Sequence, residues 1–532
     1  MSDAVASRVS IDRTVSTEAL GDGFLFLAVA TSGIVMFEPA PYDVMLSIHA
    51  VIALFMGLAL PRALAPLVIL LFLFNIGGIV SVTQVRWWEG ADHGHPLVFV
   101  AISLMLMLNA VFFAATCTER PHRMALIMKA TVAAAVIVAV IGVVGYGLKI
   151  ESLMRAGRAK ATFKDPNVFG PFLVVPLVYL ARDVLTERVS RVLPQIFWSI
   201  VILGGIFLSM SRAAWGLGAG CLVMLGLVLF VDERSAVRRF RLIVIAIGAV
   251  VAMALLLAAA LSIPEIRDLF SERAKLVQSY DGARLGRFAR HGIGFLLATE
   301  LPLGLGPYQF GHIFPEDPHN VFLKSLMVYG WLGFLAYTAL SFWTLAALFR
   351  SMFLPRAWKP MAQVIWVLLA GHLAVSWIID SDHWRHFFVL WGIGWAIIAL
   401  EARQQGAHRE RSLLGCLGET GRDGGLPLCR DGIGVARFQF LATGGDARRH
   451  LVLHLQRDIA GIKGRLAGQQ LVERRAERID VVGHRRFLAE QLLRTHVGRR
   501  AGGRGAGGLV ETPGEAEVGD LRVALGIDED VA

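Results

Sequence analysis

Charged residues are scarce in this chain, and cysteines are few. Asp, Glu, Lys and Arg make up 18% of the 532 residues, whereas hydrophobic residues make up 55%. The four cysteines are Cys117, Cys221, Cys416 and Cys429, and none of them stands in a CxxC spacing. This composition excludes an ordinary soluble globular protein, and the cysteine pattern predicts neither a disulfide framework nor a zinc site.

Motifs of nucleotide-dependent and metal-dependent enzymes are missing as well. The chain has no GxxxxGK[ST] phosphate loop, no GxSxG nucleophile turn and no HExxH zinc pair. Carboxylates are missing from the middle of the apolar runs, where an ion-coupled transporter normally needs them. We therefore expect no metal and no cofactor, and the sequence argues against coupled transport.

Long apolar runs dominate what is present. About twelve of them are long enough to cross a hydrocarbon core of about 30 Å. They lie at 22–38, 42–60, 63–85, 96–116, 124–147, 168–181, 194–210, 213–231, 240–262, 320–349, 360–379 and 385–402. The sequence predicts an all-α polytopic membrane protein with a polar N-terminal segment at 1–20 and a transmembrane domain over 21–404.

The charges between the runs predict an orientation, because short cytoplasmic loops carry an excess of Lys and Arg. With residues 1–20 in the cytoplasm, the inner connections hold most of this excess, as at Arg120 and Arg123 or between Arg234 and Arg241. An even number of spans then places both termini in the cytoplasm.

Three outer connections carry positive charge against this rule. They hold Lys149, Arg155, Arg158, Lys160 and Lys164, then Arg212, and then Arg284, Arg287 and Arg290. Positive charge kept on the outer side indicates a bound anion, and Arg suits phosphate or diphosphate because its guanidinium binds in bidentate fashion. For each residue taken singly, an ordinary solvated loop charge is the alternative.

The long outer loop, 263–319, contains a helix signal of its own. Within DGARLGRFARHGIGFLLATE, Arg284, Arg287 and His291 recur at helical spacing beside apolar residues. We expect a basic amphipathic helix at the outer membrane interface. A helix whose long side chains merely reach the lipid headgroups is the alternative.

One histidine stands at the mouth of the tenth run. His319 follows Glu316, Asp317 and Pro318, and a neutral imidazole there is suited to take a proton from an attacking hydroxyl, with Asp317 or Glu316 orienting it. The competing candidates are His312, His383 and His386. Lys324, in the same run, is expected to extend its ammonium group to the interface.

Four stretches, in this order and spacing, resemble the O-antigen ligase and polymerase superfamily of bacterial envelope enzymes. They are FKDPNVFGPFL (163–173), LSMSRAAW (208–215), ARLGRFARHGIGFLLATELPLGLGPYQFG (283–311) and DPHNVFLKSLMVYGWLGF (317–334). The resemblance is close over residues 150–350 and extends over 20–400 in the arrangement of spans.

The resemblance implies an inner-membrane enzyme that transfers a glycan from undecaprenyl diphosphate to a hydroxyl acceptor at the periplasmic face, without nucleotide or metal. It implies that His319 is the base. Residues that it places on the substrate side, chiefly at the diphosphate, are Arg212, Arg284, Arg287, Arg290, Lys164, Asn167 and Asn320. The acceptor is either a lipid A core or another lipid-linked glycan, so ligase and polymerase activities stay open.

A transporter or flippase for a lipid-linked glycan is the alternative, and the number of apolar runs favours it. The long basic loop and the lack of a detectable repeat between the two halves speak against it.

Residues 405–532 differ from the rest of the chain. They are rich in Arg and Gly, lack Trp and Tyr, and have nearly balanced charge. They have no counterpart in the family, and we expect a tail with little fixed structure and no nucleic-acid partner.

Overall fold

The computed structural model is almost entirely helical, as the apolar runs predict. It describes residues 18–85, 94–274, 287–313 and 318–423. Arg284, Glu316 and Asp317, and most of the N-terminal segment and of the tail, lie outside the described residues.

Twelve of the described helices follow the predicted apolar runs in chain order, and three lie in the long loop between the ninth and tenth runs. The helices are residues 18–30 (α1), Pro41–Phe55 (α2), Ala65–Val82 (α3), Gly94–Glu119 (α4), His122–Gly147 (α5), Pro166–Thr186 (α6), Leu193–Leu208 (α7), Arg212–Asp232 (α8), Ala236–Leu261 (α9), Pro264–Arg273 (α10), Arg287–Glu300 (α11), Phe310–Ile313 (α12), Val321–Ser351 (α13), Lys359–Val375 (α14) and Arg385–Asp423 (α15). A short antiparallel hairpin, Met154–Arg155 (β1) and Arg158–Ala159 (β2), lies between α5 and α6.

Eight helices of the described chain are long and apolar enough to cross a membrane: α3, α4, α5, α6, α8, α9, α13 and α15. Three shorter apolar helices, α2, α7 and α14, coincide with predicted runs. The helix at 18–30 covers much of the first run. The all-α polytopic fold is therefore confirmed, whereas the count of twelve spans stays a prediction.

Ion pairs gather at two ends of the helical bundle. One end holds Arg120–Glu18 (2.8 Å), Arg123–Asp22 (2.7 Å), Arg356–Glu401 (3.2 Å) and Lys359–Asp232 (2.7 Å). The other, which we call the site end, holds Lys164–Glu38 (2.7 Å) and Arg385–Asp43 (2.6 Å). These two sets agree with the inner and outer connections expected from the sequence. The cellular compartment that each end faces stays a prediction.

The helix of the tenth run is broken. Gly330, inside α13, has φ 65° and ψ −174°, which divides the helix into segments 321–329 and 331–351. Unbroken, its 31 residues would form a rod of about 46 Å, longer than a hydrocarbon core of about 30 Å. Backbone groups near the break bond to other segments: Trp331 N–H to Pro302 O (3.0 Å), Leu305 N–H to Met327 O (2.6 Å), and Ser81 Oγ–H to Val328 O. This satisfies the requirement that backbone polar groups in a membrane find protein partners.

The last helix extends beyond the predicted transmembrane domain. Helix α15 continues to Asp423, and the expectation of little fixed structure in the tail stays a prediction. Residues 424–532 lie outside the described residues. Contacts place the site residues discussed below in one unit, Met1–Gly418.

Candidate active site

His319 lies at the site end, immediately before α13, and is oriented by Asp380. Its Nδ1 is 2.8 Å from Oδ2 of Asp380, which stands in the connection between α14 and α15. A carboxylate only accepts hydrogen bonds, so Nδ1 carries the hydrogen and the neutral ring keeps a lone pair on Nε2. The side chain is 33% exposed, which leaves it accessible to a substrate. This is the geometry that a general base needs.

The backbone of His319 is in the left-handed region, with φ 48°. Such a conformation is uncommon for a residue other than glycine, and it is seen repeatedly at functional sites. Asn320 follows as the N-cap of α13, where its Oδ1 accepts a hydrogen bond of 3.1 Å from the N–H of Leu323. The amide oxygen of Asn320 is therefore engaged in capping, which is separate from the substrate role implied by the resemblance.

Asp380 is not among the candidate residues predicted from the sequence. Glu316 and Asp317 are the residues predicted to orient His319, because they precede it in the chain, and both lie outside the described residues. Asp380 is 61 residues from its histidine. One signal was available in the sequence, because Asp380 and Asp382 fall in the outer connection after the eleventh run, beside His383.

Lys324 is a second site residue, and the expectation that it extends to the interface is wrong. Its side chain is only 11% exposed, and Nζ lies 3.2 Å from Oδ1 of Asp382 and 3.7 Å from Oδ1 of Asp380. Burial raises the pKa of Asp380, but Lys324 and the hydrogen bond from His319 outweigh burial and hold this pKa below its usual range. The pKa of Asp382 also lies below its usual range, because burial, which raises it, is outweighed by Lys324 and His383.

The competing histidines have different surroundings. His383 has both ring nitrogens engaged, with Nδ1 2.9 Å from Oδ2 of Asp382 and Nε2 3.4 Å from the carbonyl oxygen of Phe99. His386 is buried, and its ring stacks on Trp384 at 5.3 Å between centroids. His312 lies in α12, and its side chain is outside the described residues.

A helix is present in the long loop, and it approaches the His319 segment. In α11, Nε2 of His291 contacts the carbonyl oxygen of Pro318, and the indole N–H of Trp331 donates to Ala298 O at 3.0 Å. Arg290 is buried on the protein side of this helix, whereas Phe295 and Leu296 are exposed. Arg290 therefore faces the protein together with Ala298, whereas Phe295 and Leu296 do not.

The other loop arginines are only partly described. Arg287 is the first residue of α11, one turn before His291, and its side chain is outside the described residues, as is all of Arg284. Of the three loop arginines, the structure therefore shows the burial of Arg290 and the backbone position of Arg287.

Arg158 joins two of the recognised stretches. Its Nη2 donates to Oδ1 of Asn167 at 2.7 Å, and its Nε donates to the carbonyl oxygen of Ser209 at 2.9 Å. Ser209 belongs to the turn that leads into Arg212, the first residue of α8. The sequence identified Arg158 only as one of several outer charges. Lys164 lies beside this group and forms an ion pair of 2.7 Å with Glu38.

Arg212 lies at the same end of the bundle as His319. Helix α14 packs on α8 where Gly371 contacts Leu217 and Cys221. Arg212 lies five residues before Leu217 in α8, and Ser376 lies five residues after Gly371. Both residues are therefore roughly 7.5 Å closer to the site end than this contact. The carbonyl oxygen of Ser376 accepts a hydrogen bond of 2.8 Å from the N–H of Val321, directly after the His319–Asn320 pair.

Part of this site lies in a segment that is similar to known proteins. Residues 197–338 match the family model described as O-Antigen ligase. No curated protein sequence matches the chain. The matched segment includes Arg212, α11 and His319, and it confirms the resemblance of this chain to the O-antigen ligase and polymerase superfamily.

Proposed function

We propose that the protein transfers a glycan from undecaprenyl diphosphate to a hydroxyl acceptor at the periplasmic face of the bacterial inner membrane. The observation that carries the proposal is the hydrogen bond of 2.8 Å between His319 and Asp380, which leaves Nε2 available as a base. The family match over residues 197–338 supports the reaction class, and the apolar helices support a membrane-embedded donor.

In the proposed reaction, Nε2 of His319 takes the proton of the acceptor hydroxyl. The hydroxyl oxygen attacks the anomeric carbon of the donor, and the bond from that carbon to the diphosphate oxygen breaks. Undecaprenyl diphosphate leaves with both bonding electrons, and His319 ends as an imidazolium. Asp380 stabilises this positive charge, because its pKa below the usual range keeps it ionised.

Arginine side chains are proposed to neutralise the charge that develops on the diphosphate. Arg212 begins α8 at the site end. Arg287 and Arg290 lie in α11, the helix whose His291 contacts the carbonyl oxygen of Pro318. Guanidinium groups that face a leaving diphosphate stabilise the transition state more than the ground state.

A single displacement with inversion is the stereochemistry that we propose. A double displacement would need a nucleophile such as a free carboxylate. Asp380 and Asp382 are the carboxylates described beside His319, and both are engaged by histidine and lysine.

The direct test uses purified protein in lipid nanodiscs with a polyprenyl-diphosphate-linked glycan and a hydroxyl acceptor. His319→Ala should abolish transfer, and Asp380→Asn should lower the rate by about 10² to 10⁴. His122→Ala is the matched control, because His122 is 62% exposed at the opposite end, and it should retain full activity. Full activity of His319→Ala would remove the assigned base.

Arginine variants test the donor side. Arg212→Ala should weaken use of the donor, and Arg212→Lys separates charge from geometry. Recovery with lysine means that positive charge suffices, whereas no recovery means that a bidentate grip is needed.

A cellular measurement separates the two possible acceptors. Long glycans stranded on the lipid carrier at the outer face of a strain that lacks the gene would identify a ligase. Single repeats stranded there would identify a polymerase. Intermediates trapped at the cytoplasmic face would contradict the transferase and identify a flippase.

A further inference from the structure

Two histidine–carboxylate pairs at the site end share one lysine. The pairs are His319–Asp380 (2.8 Å) and His383–Asp382 (2.9 Å), and Nζ of Lys324 lies 3.7 Å from the first carboxylate and 3.2 Å from the second. Among the described residues, the two pairs differ in the number of histidine ring nitrogens that are engaged.

Both ring nitrogens of His383 lie within hydrogen-bond distance of an acceptor. Its two partners, the carboxylate of Asp382 and the carbonyl oxygen of Phe99, both accept hydrogen bonds and donate none. Only a doubly protonated imidazolium can donate to both. Among the described residues, the His319 ring has one such partner, Asp380, and a neutral ring can donate to it.

The ring of Phe99 lies beside both His383 and Lys324. It lies 4.2 Å from the ring of His383, between centroids, and its centroid is 5.4 Å from Nζ of Lys324. An aromatic face attracts cations. If Lys324 and His383 are positive and Asp380 and Asp382 are negative, the net charge of the cluster is zero while His319 is neutral. Buried charges are stable when opposite charges balance them in this way.

We propose that Lys324, Asp382 and His383 are positioning residues that hold Asp380 as an oriented anion against His319 and thereby set the pH at which His319 becomes a base. The inference rests on the proposed function, since it concerns the same histidine. None of the three residues is assigned to touch the substrate. They act through Asp380.

The charges of the cluster predict how the pH dependence of transfer changes in each variant. Removing the positive charge of Lys324 leaves excess negative charge beside His319, so the imidazolium persists to higher pH. Removing the negative charge of Asp382 leaves excess positive charge and has the opposite effect. A merely structural residue would lower the rate at every pH without moving the midpoint.

The experiment measures the pH dependence of transfer by the full-length protein in nanodiscs. Lys324→Met should move the acidic midpoint of activity upward by about one unit, and Asp382→Asn should move it downward by about one unit. The double variant should return near the wild-type midpoint, and Lys324→Arg should stay close to it because the charge is kept. Lys129→Met, at an exposed position of α5, is the matched control and should leave the midpoint unchanged.

These variants leave the other ionisable side chains near the cluster in place. Among the described residues, they are Tyr329 on α13, Tyr308 before α12, and Arg290 and His291 on α11. A shift that follows the sign of the removed charge therefore reports on the cluster and not on these neighbours.

Midpoint shifts of the same sign for Lys324→Met and Asp382→Asn, or no shift in either, would overturn the inference. His383→Gln provides a second route if a variant does not fold, because it removes a cation and should move the midpoint upward. Failure here is distinguishable from failure of the proposed function: an inactive His319→Ala protein without these shifts refutes only the positioning role, whereas an active one refutes the assigned base.

Discussion

Arg385 and Asp43 form a bidentate ion pair across 342 residues of sequence. The guanidinium places Nε 2.7 Å from Oδ1 and Nη2 2.6 Å from Oδ2, and this pair joins the start of α2 to the start of α15. The side chain of Asp43 is only 3% exposed. The two helices are therefore connected at the site end by a buried charge pair.

Breaking this pair should destabilise the protein strongly. Arg385→Met leaves the Asp43 carboxylate buried without its partner, and we expect a loss of about 3 to 5 kcal/mol in the free energy of unfolding. Thermal unfolding in detergent is the measurement. The control is Arg155→Met, which breaks an ion pair with Asp165 whose arginine is 61% exposed, and it should cost about 1 kcal/mol or less. Equal effects of the two changes would contradict the expectation.

The break in α13 requires glycine. A Cβ at position 330 would lie 2.8 Å from the carbonyl oxygen of Pro302, and φ is 65° there. Gly330→Ala should lower stability by about 2 kcal/mol or more, because it combines a backbone clash with an unfavourable conformation. Gly216→Ala in α8 is the control, since a Cβ there meets nothing within 4 Å, and it should be neutral or slightly stabilising. Similar melting temperatures for the two variants would show that the break is not needed.

Arg158 is expected to organise the donor side of the site. Arg158→Lys keeps the charge, but a single ammonium group cannot reproduce the two bonds from Nε and Nη2 to Ser209 and Asn167. We expect about tenfold weaker use of the lipid-linked donor, since each lost hydrogen bond of this kind is worth about 1.5 kcal/mol. Donor titrations of transfer activity measure this. Arg155→Lys, on the other strand of the same hairpin, should behave like wild type, and a wild-type Arg158→Lys protein would count against the organising role.

Acid should remove the stability that the Asp382 carboxylate provides. Its pKa lies below the ordinary value of 3.8, so the carboxylate contributes stability above about pH 4 and loses it as pH falls through the lower folded-state pKa. The difference in melting temperature between wild type and Asp382→Asn should be largest near pH 7 and should shrink below pH 4. Asp268→Asn, with a 77% exposed carboxylate, should show no such dependence. A difference that is constant with pH would argue that Asp382 is not held as an anion.

The membrane fold was readable from the sequence because it depends on local properties. Apolar runs long enough for a bilayer become helices wherever they occur, and Lys and Arg between them mark the connections. His319 and Arg212 were identified as candidates in the same way, since they stand in short motifs whose residues are neighbours in the chain. Helix α11 was likewise foreseen, since its periodicity is contained within one segment.

The charge network could not be read in this way, because its members are brought together by packing. Asp380 contacts His319 although the two residues are 61 positions apart in the chain. Lys324, which the sequence predicts to reach the membrane interface, lies in a buried cluster of charges. A local pattern states that a charge is near a span end, but it does not state which opposite charge lies across the bundle. Nor does it show that the tenth run breaks at Gly330, since that break depends on backbone partners supplied by Pro302 and Leu305. Composition and short motifs thus specified the helices, and they identified the candidate base and the arginines proposed to bind an anion. The partners of those charges came from the three-dimensional packing, since a buried charge is stabilised by whatever group the fold places within a few ångströms of it.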